Sequence, residues 1–120
     1  MIPKTDGTHD ASLRSWVESA NDPATDFPVQ NLPFGVFRRR GSRERPRVGV
    51  AIGDQVLDVV ACRRAAMLSA AAEPCEAASL NRLMAAGPAI WSTLRSELSQ
   101  ILREGSYRAR EMRQSFEAYF

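Results

Sequence analysis

The stretch Asp26-Phe27-Pro28-Val29-Gln30-Asn31-Leu32-Pro33-Phe34-Gly35-Val36-Phe37 constrains this chain more than any other. Two prolines, each following an apolar residue, hold the lead-in extended. Proline fixes its own φ and pushes the residue before it out of the α region. Phe34, Val36 and Phe37 then predict the start of a strand. The chain therefore divides into an N-terminal arm over residues 1–25, carrying a short helix, and a domain over residues 26–120.

Downstream, Val48-Gly49-Val50-Ala51-Ile52 reads as a second strand with Val48, Val50 and Ile52 on one face. Gly53-Asp54 predicts a two-residue hairpin turn, since glycine accepts the positive φ that a type II′ turn needs at its first central position. Gln55–Val59 returns as the third strand of a twisted meander. The segment from Arg38 to Arg47 reads as the loop between the first two strands.

Helical signals take over at Asp58, a fair N-cap for a helix through Ser69. Glu73-Pro74-Cys75 breaks that helix. Ser79 is expected to cap a short one over Leu80–Ala86 that buries Leu80, Leu83 and Met84. Gly87-Pro88 closes one helix and opens the next, because glycine suits the position after a helix and proline its first turn. From Pro88 to Glu104, Ile90, Leu94, Leu98, Ile101 and Leu102 form one stripe with Trp91 at its edge. Gly105 ends it, and Tyr107–Phe120 is again helix-compatible. Strands first and helices after predict an α+β fold, a small open meander or partial barrel followed by packed helices.

In the arm, residues 1–11 read as a mobile tail. Ser12 is placed to cap a helix over Leu13–Ala20, with Leu13, Trp16 and Val17 on one stripe and Trp16 held against the body. At the other end the chain finishes on Tyr119 and Phe120 with no stop signal. The expectation is that a further domain covers Met112, Phe116, Tyr119 and Phe120, which in isolation would be exposed or self-associated.

With 120 residues, 44% apolar and 25% charged, the chain has the balance of an ordinary one-domain globular protein. No apolar run approaches the roughly 20 residues a membrane span needs, and the N-terminus lacks a secretory apolar region. A cytoplasmic location follows as the expectation, with no membrane partner. Cys62 and Cys75 are then two free thiols, at a spacing that fits no metal or redox motif.

The search for reaction chemistry yields no site. His9, the only histidine, lies in the expected tail. Asp54 and Asp58 fall at a turn and a helix start, each with a structural task, and Glu73 and Glu76 flank a proline. Neither pair has the further ligands a metal needs. Cys62 lies early in a helix, beside Arg63 and Arg64, which could lower its pKa; the competing reading is a small residue on a buried face. Gly35, Gly41, Gly49 and Gly53 form no phosphate-cradling motif. Lys4 is the only lysine among sixteen Lys and Arg residues, and Arg38, Arg39, Arg40, Arg43, Arg45 and Arg47 are clustered. No aromatic residue interleaves that cluster and the net charge is only +2, so a solvated loop is favoured over a nucleic-acid or acidic-partner surface.

The wording of Asp26–Phe37 closely resembles the opening of fumarylacetoacetases. The similarity continues through Pro46-Arg47-Val48-Gly49-Val50-Ala51-Ile52-Gly53-Asp54-Gln55-Val56-Leu57-Asp58, and more loosely at Leu80-Asn81, Met84, Gly87 and Trp91. Ser15-Trp16-Val17-Glu18-Ser19-Ala20-Asn21 also looks like bacterial members. The resemblance implies an SH3-like, partly open barrel with added helices, the N-terminal domain of a larger hydrolase. In that family a C-terminal β-rich domain holds a divalent metal (Mg or Ca), the catalytic histidine and the substrate-binding residues, and the enzyme is a homodimer. Its metal-bearing region begins with a Gly-Asp-Tyr-Thr-Asp-Phe-type segment, which does not occur in this sequence. No catalytic, cofactor-binding or metal residue therefore transfers to this chain. The implied partner is the C-terminal domain of the same polypeptide, and no nucleic acid is expected.

Overall fold

In the computed structural model, which describes residues 7–38, 40–41, 43, 45–77, 79–114 and 119–120, three antiparallel strands lie in the order β1-β2-β3. They are β1 (Phe34–Phe37), β2 (Arg47–Ile52) and β3 (Gln55–Asp58). Phe34 stands opposite Val50 and Ile52 opposite Gln55. Strand alternation then sends Val48, Val50 and Ile52 into the core together with Leu57, all fully buried. Gly49 faces the other way, where a Cβ would stand 2.7 Å from the Phe37 ring and 2.8 Å from Val56. The two-residue turn at Gly53-Asp54 forms as expected, with Gly53 at φ +57°. The Arg38–Arg47 loop is shorter than the sequence suggested: Arg47 belongs to β2 and pairs with Phe37.

Helix α1 (Val59–Arg64) starts where Asp58 predicts, and the Asp58 carboxylate accepts from the Ala61 N–H. It ends well short of Ser69. Ala66 takes a φ of +61°, and the chain turns so that the neighbours Met67 and Leu68 are both buried. Ser69 then opens a 3-10 helix over Ala70–Glu76 that includes Pro74, which the sequence marked as a break. The Ser69 N–H and hydroxyl both donate to the Glu97 carboxylate at 2.6 Å, pinning this corner to the long helix.

Helix α2 (Asn81–Ala86) begins after Leu80, with no side-chain cap from Ser79. Of the three residues expected inside, Leu83 is fully buried, Leu80 is partly buried and Met84 is 51% exposed. A six-residue helix meets the core with little more than one turn. Gly87, at φ +90°, separates it from α3 (Pro88–Leu102), with Pro88 in the first turn. The α3 stripe is as expected: Leu94, Leu98, Ile101 and Leu102 are fully buried, with Ile90 and Trp91 packed at its edge. It stops two residues before Glu104 because Arg103 turns extended and bridges Ser15.

Helix α4 (Tyr107–Gln114) follows. Met112 is fully buried, Tyr119 is packed against the core, and the Phe120 ring meets Trp16 edge-on at 5.6 Å. Met112 is thus covered by the chain itself, contrary to the expectation of exposure, while Tyr119 and Phe120 are partly covered. Phe116 lies outside the described residues.

The arm departs most from expectation. No α-helix spans Leu13–Ala20; two 3-10 turns, Gly7–His9 and Glu18–Asn21, flank irregular chain. Local side chains compete for the backbone groups a helix would use. Asp10 takes both the N–H and the hydroxyl of Ser12, removing the cap, and Asn21 bonds both backbone groups of Ser15. Trp16 does hold the arm to the body, by donating its indole N–H to the Ile101 carbonyl at 2.8 Å, while the Ser15 hydroxyl donates to Leu102 at 2.6 Å. Nor are residues 7–11 a tail. Thr8 is buried, and its hydroxyl accepts from Arg95 Nε at 2.8 Å. Residues 1–6 lie outside the description.

The hairpin turn is locked to the arm through the Ser19 hydroxyl, which donates to Asp54 and accepts its N–H. A Cβ on Gly53 would collide with Ser19 and stand 2.6 Å from the Ala20 nitrogen. Gly53→Ala is therefore expected to destabilise the fold by about 2–4 kcal/mol, from left-handed strain plus overpacking. Gly35→Ala, with no atom within 4 Å, is expected to change little. Urea unfolding of both variants checks the contrast.

Candidate functional site

All but one of the residues singled out for chemistry lie among the described residues. His9 is half-buried beside the Thr8 hydroxyl, 3.5 Å from its Nδ1. Asp54 sits exposed on the hairpin turn, where hydrogen bonds from Ser19 and Gln55 hold its pKa below the usual carboxylate value. Asp58 is 1% exposed and accepts from Arg47 Nη1 at 2.9 Å and from the Ala61 N–H at 3.1 Å. The two aspartates do not converge: one latches the arm and the other joins β3 to α1. Glu73 pairs with Arg82 at 2.5 Å, and Glu76 is exposed. Among the described residues no three His, Cys, Asp or Glu side chains stand close enough to hold a metal ion.

Cys62 is fully buried, and its thiol is pushed up to about 12, first by burial and then by the neighbouring Asp58 carboxylate. The α1 N-terminus and Arg63 do not overcome that. Cys75 is likewise buried and raised to about 11 by desolvation. The environment is the reverse of a nucleophilic cysteine's, which is electropositive and partly exposed. Of the arginine cluster, Arg47 is withdrawn into the ion pair with Asp58, while Arg40, Arg43 and Arg45 are exposed. Arg39 lies outside the described residues.

The polar residue with the widest reach is one the sequence did not single out. Arg95, on α3, donates through Nε to Thr8, through Nη1 to the Asn31 carbonyl at 2.8 Å and through Nη2 to the Gln30 carbonyl. It ties the proline-bounded lead-in to the long helix. An arginine between two apolar stripe positions carries no signal of such a role, because its partners lie 64 and 65 residues away.

Asp58→Ala removes a cap and leaves Arg47 unpaired at the core's edge, so it is expected to cost about 2–4 kcal/mol, with Asp58→Asn losing less because asparagine still caps. Denaturant melts of both variants test it. For Cys62, the native thiolate fraction at pH 8 is on the order of a thousand-fold below an ordinary thiol's. Ellman's reagent should therefore label the cysteines only after denaturant is added. Above about pH 9 the unfolded thiols ionise while the folded ones stay protonated, so stability should fall as pH rises from there toward 12.

Comparison with known proteins places this fold. Residues 30–119 match the family model described as Fumarylacetoacetase N-terminal. The fumarylacetoacetase of Oryza sativa subsp. japonica is 47% identical over 96 residues, covering 75% of this chain and 22% of the relative. That of Bos taurus is 41% identical over 100 residues, covering 81% and 23%. The protein of Dictyostelium discoideum is 30% identical over 111 residues, covering 90% and 25%. The chain thus spans about a quarter of the length of the curated relatives it matches. On the family match and these identities together, the chain belongs to the fumarylacetoacetase family, in its N-terminal region.

Proposed function

We propose that this chain is the non-catalytic N-terminal domain of a fumarylacetoacetase-like hydrolase, supplying structural support and interdomain contacts to the catalytic remainder of the same polypeptide. The observation that carries this reading is the match of residues 30–119 to the family's N-terminal model. The parent reaction is the metal-dependent hydrolysis of a carbon–carbon bond in 4-fumarylacetoacetate, giving fumarate and acetoacetate in tyrosine and phenylalanine catabolism. In this reading Mg or Ca and the catalytic histidine belong to the C-terminal domain of a cytoplasmic homodimer. The antiparallel sheet is then part of a partly open SH3-like barrel.

The commitments of the polar side chains support a structural role. Asp58 is held by a helix cap and an ion pair, Asp54 by Ser19, and Cys62 by the core. Each already carries part of the fold, and using any of them for chemistry would loosen it.

The test uses the full-length polypeptide carrying Asp58→Ala. If the domain supports and does not react, the temperature at which hydrolysis is lost falls by several degrees. At low temperature kcat and KM stay within about two-fold of the parent. A roughly hundred-fold loss of kcat at unchanged melting temperature would give this domain a direct part in the reaction and overturn the reading.

A further inference from the structure

Three arginines from two separate parts of the sequence line one cleft. Arg45 and Arg47 come from the segment entering β2, and Arg64 from the last turn of α1. The cleft, of about 290 Å³, is completed by Pro46, Val60, Glu76 and Ala77. The groups differ in how they are held. Arg47 is fixed by Asp58, which is fully enclosed, so its position is set before anything binds. Arg45 is held extended by the proline that follows it. Arg45 and Arg64 are exposed and form no ion pair among the described residues.

We propose that this cleft binds a small oxyanion carrying more than one acceptor group, of the carboxylate or phosphate class. Guanidinium forks match such groups because each presents parallel N–H donors to two oxygens. Arg47 retains donors beyond the one given to Asp58, and Arg45 and Arg64 supply the uncompensated charge. Glu76 opposes the anion and Asp58 offsets Arg47, so the site's excess charge is small. That sets the expectation at weak, salt-sensitive binding and not at tight capture. The apolar lining residues Val60 and Ala77 and the cleft's volume of about 290 Å³ limit the ligand to a compact one.

The experiment is a chemical-shift titration of this 120-residue chain with citrate and, separately, inorganic phosphate at low salt, with matched sodium chloride as the ionic-strength control. The expected result is saturable one-to-one binding, with the largest shifts at Arg45, Arg47, Val60, Arg64 and Ala77. Arg64→Gln, an exposed change at a helix end, should weaken it roughly ten-fold. Arg110→Gln, on α4, should leave it unchanged. Tighter citrate binding identifies a carboxylate ligand, and tighter phosphate binding a phosphate or phosphoester. Shifts that grow linearly and spread over arginines throughout the chain would overturn the proposal. So would saturable binding that Arg64→Gln leaves intact while its spectrum remains that of the folded chain.

Discussion

The carboxylate of Asp58 stands where the chain leaves β3 and enters α1, and the sheet and the helices are fixed to each other from that point. One oxygen receives the Ala61 N–H and starts the helix; the other receives Arg47 from the neighbouring strand. Burying a charge is costly unless it is paired and hydrogen-bonded, and at Asp58 both conditions are met, by Arg47 across the strand pair and by the Ala61 N–H. The arrangement sets the direction of α1 relative to β2, so that Val59 and Cys62 meet Val48, Val50 and Leu57 in a single core. Gly49, opposite Asp58 in the register, has no side chain, and the space over it goes to Phe37 and Val56.

A second set of constraints wraps the N-terminal segment onto that core. Arg95 gathers Thr8, Gln30 and Asn31 onto α3, Trp16 and Ser15 reach the carbonyls at its end, and Ser19 grips the hairpin turn. These are mostly side-chain donors meeting backbone carbonyls at the end of a helix or in irregular chain. Helix ends and loops leave such groups without partners in their own element. The irregular, non-helical path of residues 10–17 is the consequence: a helix there would turn its groups inward and forfeit those anchors.

What was legible in the sequence is what local rules decide. Alternation at Val48, Val50 and Ile52, the Gly53-Asp54 turn, the Asp58 cap, the Gly87-Pro88 junction and the α3 stripe are each set by a residue and its near neighbours. Expectation failed where distant partners decide. Leu13, Trp16 and Val17 have helical spacing, yet Trp16 is fixed by a carbonyl 85 residues away. The alanine-rich run after α1 has the propensity for helix but too few large side chains to bury, so the turn that hides Met67 and Leu68 wins. Phe120 looked uncovered because its ring partner, Trp16, comes from the far end of the chain. The convergence of Arg45 and Arg47 with Arg64 on one cleft was hidden for the same reason. Family membership was legible from the wording of residues 26–37 and 46–58, which short-range chemistry alone does not supply.

Ser19, Asp54, Asp58 and Arg95 are each committed to contacts within the domain, and under the proposed reading the chemistry belongs to the catalytic remainder of the polypeptide. The most direct measurement is turnover of fumarylacetoacetate by this purified chain, with Mg²⁺ or Ca²⁺ supplied, on a sample shown by circular dichroism to be folded and to melt cooperatively. A domain of purely structural role predicts a folded protein with no hydrolysis above the uncatalysed rate. Metal-dependent turnover by that folded chain would contradict it, and would put a reaction centre among residues whose contacts otherwise serve only the fold.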